Sequence, residues 1–172
     1  MVNVAALQFL FPGISERPDF EVRDEGDGPF IAQWPESLTP PADEELEIAQ
    51  AYVAKAQMCA AVAARRYAAE TSGTLFSRIA VDTGRDSQAL ITGAAVAAML
   101  DHGYTLNWKT PAGFVALTAD QVLALATAVR AHVQACFDRE AELLEALDAG
   151  EFSEGMLEEG WPDESVSATP AG

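Results

Sequence analysis

The order of apolar and polar residues along the chain predicts long helices with short strands between them. Apolar residues recur at the three- and four-residue spacing of an amphipathic helix in three long stretches, and a shorter run precedes them. The predicted helices cover residues 2–11, 42–71, 85–101 and 118–150. Because three of them are long, most of the core is predicted to form between helices.

Shorter segments predict two β-hairpins. The first covers residues 20–24 and 29–34, and the second covers residues 104–110 and 114–117. In the first hairpin, Asp27 and Gly28 are expected to supply the positive φ angles of a tight turn. A further short strand is predicted near residues 77–81. The predicted fold class is α+β, mainly α, with long antiparallel helices and two short β-hairpins.

The helix predicted over residues 42–71 carries an apolar stripe with a seven-residue repeat. The stripe consists of Leu46, Ala49, Val53, Ala56, Ala60, Ala63 and Tyr67. Small side chains at this spacing permit a close approach of another helix. The favoured interpretation is intramolecular packing against the last long helix, and the alternative is a self-associating coiled coil.

The next two long helices show start signals and apolar faces. Thr83 with Asp86 resembles a capping box, and Thr118 with Gln121 forms a T-x-x-Q capping box. The face predicted to be buried on the helix over residues 85–101 comprises Ile91, Ala94, Ala95, Ala98 and Met99. On the last helix it comprises Val122, Ala126, Val129, Val133, Phe137, Leu144 and Leu147.

Prolines suggest where the chain divides. Pro35, Pro40 and Pro41 interrupt regular structure and predict a linker. Three parts follow: residues 1–41, a small module with a helix and a β-hairpin; residues 42–150, a helical domain with a β-hairpin; and residues 151–172, an acidic C-terminal tail.

The net charge of −17 is unevenly distributed. Residues 16–47 carry −9 and residues 138–164 carry −10, whereas residues 48–137 carry +2. Acidic ends of this kind are typical of solvated surfaces that maintain solubility, and the alternative is a docking surface for a basic partner.

Charge and composition exclude several classes of partner. A net charge of −17 gives no electrostatic attraction to nucleic acid or to anionic lipid, so neither is predicted as a partner. No apolar stretch reaches the 18 residues of a membrane span, and the first apolar run lacks the basic start of a signal peptide. Cys59 and Cys136 lie in apolar helical contexts and predict no disulfide. A cytoplasmic protein is expected.

The residues that could carry chemistry are few. His132 and Cys136 lie four residues apart, but a structural metal site needs more ligands than these two and His102 provide. Asp82 and Asp86 lie at a helix start, where capping accounts for them. Gly26 and Gly28 are followed by no helix start that could bind phosphate. The protein is therefore predicted not to be an enzyme, with no cofactor and no metal.

The tail combines acidic residues with large apolar side chains. The predicted partner-binding residues are Phe152, Met156, Leu157 and Trp161, whose spacing places most of them on one side of a short helix. The alternative is that the tail folds back on its own domain with Trp161 as a plug.

Five segments resemble phage proteins. DEGDGPFIAQW, residues 24–34, resembles the N-terminal region of XkdW-type phage tail-gene proteins. The other four resemble an uncharacterised domain common in tailed-phage and prophage proteins and usually encoded beside tail-fibre genes. They are RYAAETSG (66–73), DTGRDSQALITGA (82–94), WKTPAGFVALT (108–118) and AVRAHVQACFDREAELL (128–144).

The resemblance implies a context and supplies no catalytic residue. It implies a non-enzymatic bacteriophage protein of the tail fibre or baseplate, first of all a tail fibre assembly chaperone whose partner is the phage tail fibre protein in the host cytoplasm. A structural subunit retained in the virion tail is one alternative, and an acidic inhibitor that mimics nucleic acid is another. The oligomeric state stays open.

Overall fold

The computed structural model describes residues 2–110 and 113–162, which form five helices and three two-stranded antiparallel sheets. The helices are α1 (Val4–Leu10), α2 (Asp43–Glu70), α3 (Arg85–Leu100), α4 (Ala119–Ala149) and α5 (Glu154–Glu158). The strands are β1 (Glu21–Asp24), β2 (Pro29–Gln33), β3 (Thr74–Phe76), β4 (Ile79–Val81), β5 (Thr105–Thr110) and β6 (Gly113–Thr118). The predicted α+β, mainly α fold class is confirmed.

The chain divides into two compact units, one extending to Ala60 and the other beginning at Ala61. The boundary falls within α2, so the first part of this helix belongs to one unit and its last turns to the other.

The first unit packs α1 and the β1–β2 hairpin around a small apolar cluster. Its buried members are Leu7, Phe20 and Leu46. Asn3 caps α1 by accepting a hydrogen bond from the Ala6 amide. The hairpin lies where the sequence predicted it, but the positive φ angles occur at Gly26 and Gly28, so the assignment to Asp27 was wrong.

The second unit has its main core between α3, α4 and the β5–β6 hairpin. Its fully buried members include Ile91 and Ala98 from α3, and Val122, Leu125 and Val129 from α4. The predicted capping box is confirmed: the Thr118 hydroxyl accepts from the Gln121 amide, and the Gln121 side chain accepts from the Thr118 amide. The helix ends at Gly150, whose left-handed conformation suits glycine.

The structure contains a third hairpin, β3–β4, where the sequence predicted only a strand near residues 77–81. Ser77 and Arg78 form its turn, with φ angles of 49° and 69°. Residues other than glycine, asparagine and aspartate rarely adopt this backbone conformation. The sequence of the turn therefore lacks the residues that usually mark a hairpin. The expected number of two hairpins was therefore wrong.

The apolar stripe predicted on α2 is buried only at its start. Leu46 and Ala49 are buried, but Ala56, Ala60 and Tyr67 are exposed. In the second unit α2 instead buries Val62 and Ala69, which share a cluster with Cys136 and Leu143 of α4. Burial follows Val62 because its side chain removes more apolar area from water than the neighbouring alanines do.

Two other predicted core residues are exposed. Met99 on α3 and Phe137 on α4 face solvent, whereas Cys136 and Leu143 fill the buried side of α4. The guanidinium of Arg66 lies over the Phe137 ring, 4.5 Å from its centre. This contact gives the ring a favourable partner without burial in the core.

Candidate interaction surface

A buried carboxylate organises the end of α2 in the second unit. Glu70 is only 1% exposed and forms an ion pair with the adjacent Arg66. Arg85 donates to the same Glu70 oxygen at 3.2 Å, and Gln88 donates to the other oxygen at 3.1 Å. Arg66 also donates to Glu140 on α4 at 3.1 Å. The buried charge is thus neutralised and hydrogen-bonded, as burial requires.

The Thr83 side chain ties the end of α2 to the start of α3. Its hydroxyl donates to the Glu70 carbonyl at 2.6 Å and accepts from the Gly73 amide at 2.9 Å. The Gln88 side chain donates to the Thr83 carbonyl at 2.8 Å. The predicted Thr83–Asp86 capping box is therefore wrong: the N-cap of α3 is Gly84, and Thr83 is used across the junction.

Asp82 anchors the first turn of α3 instead. It accepts hydrogen bonds from the Gly84 amide at 2.9 Å and from the Ser87 hydroxyl. These two bonds, the one from Ser87 first, lower the pKa of the Asp82 carboxyl below its usual range. Asp82 is thus a structural anion at the helix start.

The helix held by this junction presents an uncharged apolar surface. Between Asp86 and Asp101 the chain has no charged residue. This stretch exposes four large apolar side chains, with exposed fractions of 52–84%, which spread around the whole solvent side of α3 and are together called the α3 face: Leu90, Val96, Met99 and Leu100. In a chain of net charge −17, such a surface is a candidate binding site.

Two grooves flank α3. The β5 groove has a volume of about 630 Å³ and lies between α3 and β5; residues along it include Leu90, Gly93, Ala94, Leu106, Trp108 and Lys109. The α4 groove has a volume of about 460 Å³ and lies between α3 and α4; residues along it include Ala95, Val96, Met99, Leu123, Ala126 and Arg130. The α3 face is therefore a ridge between two concave, mainly apolar surfaces.

Each groove has one basic side chain. Lys109 lies in the β5 groove and Arg130 in the α4 groove, and both are exposed. Within the described residues, neither cation forms an ion pair. A partner with carboxylates beside its apolar side chains would complement this surface.

The structure places the four predicted partner-binding residues in a different cluster from the α3 face. Trp161 is buried with Val62, Ala69, Cys136 and Leu143, and the other three pack against the same cluster while partly exposed: Phe152, Met156 and Leu157. The Trp161 indole donates to the Leu157 carbonyl at 2.7 Å. This is the fold-back arrangement. Partner binding through these residues stays a prediction.

Arginine side chains secure the tail. Arg139 donates to the carbonyls of Met156 and Glu159, at 3.0 and 3.1 Å. The Arg65 guanidinium lies 5.2 Å from the centre of the Trp161 ring. Cations thus connect the acidic tail to α2 and α4.

The other residues considered for chemistry have structural surroundings. His132 is buried, with Nε2 3.2 Å from the Ala69 carbonyl and 3.9 Å from the Cys136 sulfur. In the described residues, no group of three or more His, Cys, Asp or Glu side chains could hold a metal ion. The amides of Gly26 and Gly28 donate hydrogen bonds to Asp24 in the first hairpin.

None of the helices in the described ranges is long and apolar enough to cross a bilayer.

The sequence contained signals for this surface that the prediction did not use. The run between Asp86 and Asp101 has no charged residue, but of the four exposed side chains the prediction placed Met99 in the core and gave no role to Leu90, Val96 and Leu100. Arg66 and Glu70, spaced i and i+4 in an alanine-rich helix, indicated an ion pair. Their convergence with Arg85 and Gln88 depends on the tertiary fold.

Comparison with known proteins gives two family matches. Residues 53–163 match a family described as a domain of unknown function (DUF4376), and residues 3–57 match the family model of XkdW protein. No curated protein and no solved structure matches the chain. Glu70 and the side chains that donate hydrogen bonds to it all lie within the first match: Arg66, Arg85 and Gln88. Together the matches support a phage-related protein family.

Proposed function

The chain belongs to the DUF4376 family, and from this premise we propose that it is a non-enzymatic assembly chaperone for a phage tail fibre. The match of residues 3–57 to the phage-associated XkdW family supports the phage context. The proposed place of action is the host cytoplasm during phage assembly.

The observation that carries the proposal is the α3 face. Tail-fibre chains expose strand edges and apolar surface before they assemble, and such surfaces aggregate unless they are covered. A chaperone needs an apolar surface of its own and a strongly charged remainder that keeps the complex in solution. The uncharged α3 face in a chain of net charge −17 meets both requirements.

The size of the surface favours a reversible complex. Burying a fully exposed Leu, Val or Met side chain contributes roughly 1.5–3 kcal/mol, so the four side chains, which are already partly covered, contribute less than about 6–12 kcal/mol. Association costs about 4–15 kcal/mol in lost freedom of motion. Because these magnitudes are comparable, the α3 face suits a partner that is later released. A permanent virion subunit would need additional contacts.

The test is coexpression with the tail fibre protein of the same phage genome. We expect the wild-type chain to raise the soluble yield of the fibre and to copurify with it. Met99→Glu should lower both at least tenfold, because it places a charge in the apolar contact. Ile48→Glu is the matched control, since Ile48 is 65% exposed and Met99 67%, and Ile48 lies outside the α3 face.

Three results would contradict or redirect the proposal. A fibre that folds and trimerises equally well without this chain, with no complex in size-exclusion chromatography, would contradict a chaperone role. Equal losses with Met99→Glu and Ile48→Glu would remove the α3 face from the mechanism. Mass spectrometry of purified virions would identify a structural subunit if the chain is present in stoichiometric amount.

A further inference from the structure

We propose that the β5 groove binds an extended segment of the partner chain, which adds as a third strand to the free edge of β5. The identity of the partner rests on the proposed function. The binding mode rests on the geometry of the groove, and the experiment below tests it without the tail fibre.

One edge of β5 is unpaired among the described strands, although β4 lies close to β5. β5 pairs with β6 along its whole length, from Thr105 with Thr118 to Thr110 with Gly113, and no described strand pairs with its other edge. Four consecutive residues of β5 border the groove: Leu106, Asn107, Trp108 and Lys109. Successive side chains of a strand point to opposite faces. A groove bordered by four in a row therefore lies along the edge, where backbone groups can form hydrogen bonds.

The opposite wall of the groove is mainly apolar and has free space. It is formed by α3, which contributes Ser87, Ala89, Leu90, Gly93 and Ala94. Apart from its chain neighbours and the adjacent backbone of α3, nothing lies within 4 Å of the position that a Cβ atom at Gly93 would occupy. The groove thus has a polar backbone edge on one side and an apolar helix on the other. This is the arrangement that binds peptides by strand addition.

The side chains of β5 specify the pattern of the added strand. Leu106 and Trp108 are half-buried, whereas Asn107 and Lys109 are exposed. Paired residues on neighbouring strands share a face, so apolar residues are expected beside Leu106 and Trp108. Polar residues are expected beside Asn107, with a carboxylate next to Lys109. The occupant is therefore an alternating segment with an acidic residue at one polar position.

The length of the site suits about six residues. β5 has six residues, and a strand of this length extends about 20 Å. Trp108 and Lys109 also border a second cavity of about 440 Å³, which is lined on its other side by the β3–β4 hairpin. A helix would not satisfy the strand edge, because its backbone groups already bond within the helix.

The experiment uses the full-length chain and synthetic peptides. The probe is an acetylated, amidated Thr-Val-Glu-Val-Thr-Val peptide, and the controls are the same residues in a non-alternating order and an alanine-based helical peptide with leucines at i, i+3, i+4 and i+7. Binding is followed by NMR titration. We expect the alternating peptide to shift signals of β5 and to slow amide exchange at alternate residues between Thr105 and Thr110.

A variant that fills the groove provides the second test. Gly93→Leu should weaken binding of the alternating peptide at least tenfold, without loss of stability, because leucine favours helices and the new Cβ meets no neighbouring element. Gly155→Leu is the matched control: Gly155 is also a helical glycine with open space around its Cβ, and it lies outside the groove. The dissociation constant of the alternating peptide for Gly155→Leu should stay within a factor of two of the wild-type value.

Other outcomes overturn the inference. Preferential binding of the helical peptide would assign the groove to a helix. Binding of no peptide would leave Lys109 as a charge that protects the edge against pairing. If the alternating peptide binds but the tail fibre does not copurify, the binding mode stands and the proposed function fails. If the fibre copurifies and Gly93→Leu has no effect on the complex, only the binding mode fails.

Discussion

Glu70 is a carboxylate almost wholly removed from water, and its neighbours determine whether that burial is tolerated. Its charge is shared by two arginines and one glutamine. Arg66 is itself mostly buried, so removing the carboxylate would leave its guanidinium with Glu140 as its one acidic partner among the described residues. Breaking one side of a buried pair costs more than the intact pair contributes.

We expect Glu70→Ala to destabilise the protein by about 3–5 kcal/mol in chemical denaturation. The matched control is Glu142→Ala, which removes a carboxylate that pairs with Arg139 on the surface. Its expected cost is below about 1 kcal/mol, because exposed ion pairs contribute little. Equal losses of unfolding free energy in the two variants would mean that burial does not increase the contribution of Glu70 to stability.

At the scale of single residues, the sequence predicts which residues share a helix face better than which other residues cover that face. Val122, Val129 and Val133 were assigned correctly to the core, because their large side chains follow the helical repeat. Met99 and Phe137 follow similar repeats and are exposed, since α3 and α4 have more apolar residues than their neighbours cover. Periodicity indicates which residues share a face, whereas tertiary packing determines how much of that face is buried.

The start of α3 shows how one carboxylate stabilises an element. Asp82 accepts a backbone and a side-chain hydrogen bond in the first turn, and its charge is near the positive end of the helix dipole. Because folding lowers its pKa, the Asp82 contribution to stability is fully present above the pKa of the unfolded chain. It is lost as the pH falls through the lower pKa of the folded chain.

Asp82→Asn should therefore destabilise the protein by about 0.5 kcal/mol at pH 7, and the difference from wild type should shrink as the pH falls below about 4. Thermal unfolding of both proteins between pH 3 and pH 7 provides the measurement. Asp86→Asn is a suitable control, because Asp86 lies in the same turn and makes none of these hydrogen bonds. A constant difference across this range would rule out the charge of Asp82 as the cause.

Elements with strong local signals were predictable, and the junction between them was not. The α4 capping box and the β5–β6 hairpin lie where the sequence placed them. The β3–β4 turn lacks glycine, and Thr83 bonds to the end of α2 instead of capping α3. Both missed features depend on contacts between elements, which local spacing does not contain.

In the whole molecule, the tail connects the end of the described chain to helices that precede it by many residues. Trp161 packs with Val62, from the last turns of α2, and with Leu143 of α4. The sequence identified the apolar residues of the tail but left open whether they pack against their own domain or against a partner. An apolar tail can bind its own domain or a partner by the same physical interactions.

Trp161→Ala should destabilise the protein by about 3 kcal/mol, because it leaves a cavity between α2 and α4. For a chain of this size the melting temperature should fall by about 6–12 °C. Phe114→Ala removes an aromatic side chain that is largely exposed, and its effect should stay within about 1 kcal/mol. An unchanged melting temperature for Trp161→Ala would mean that the packed tail contributes no stability.

The uncharged α3 face has a consequence for the colloidal behaviour of the free protein. Copies with a net charge of −17 repel one another at low ionic strength. The Debye length falls to about 3 Å in 1 M salt, so this repulsion is screened while apolar attraction persists. Sedimentation velocity should therefore show reversible self-association of the wild type in 1 M NaCl but not in 50 mM NaCl. Met99→Glu should stay monomeric in both buffers, because a glutamate on the α3 face weakens the apolar attraction that remains when salt screens the repulsion.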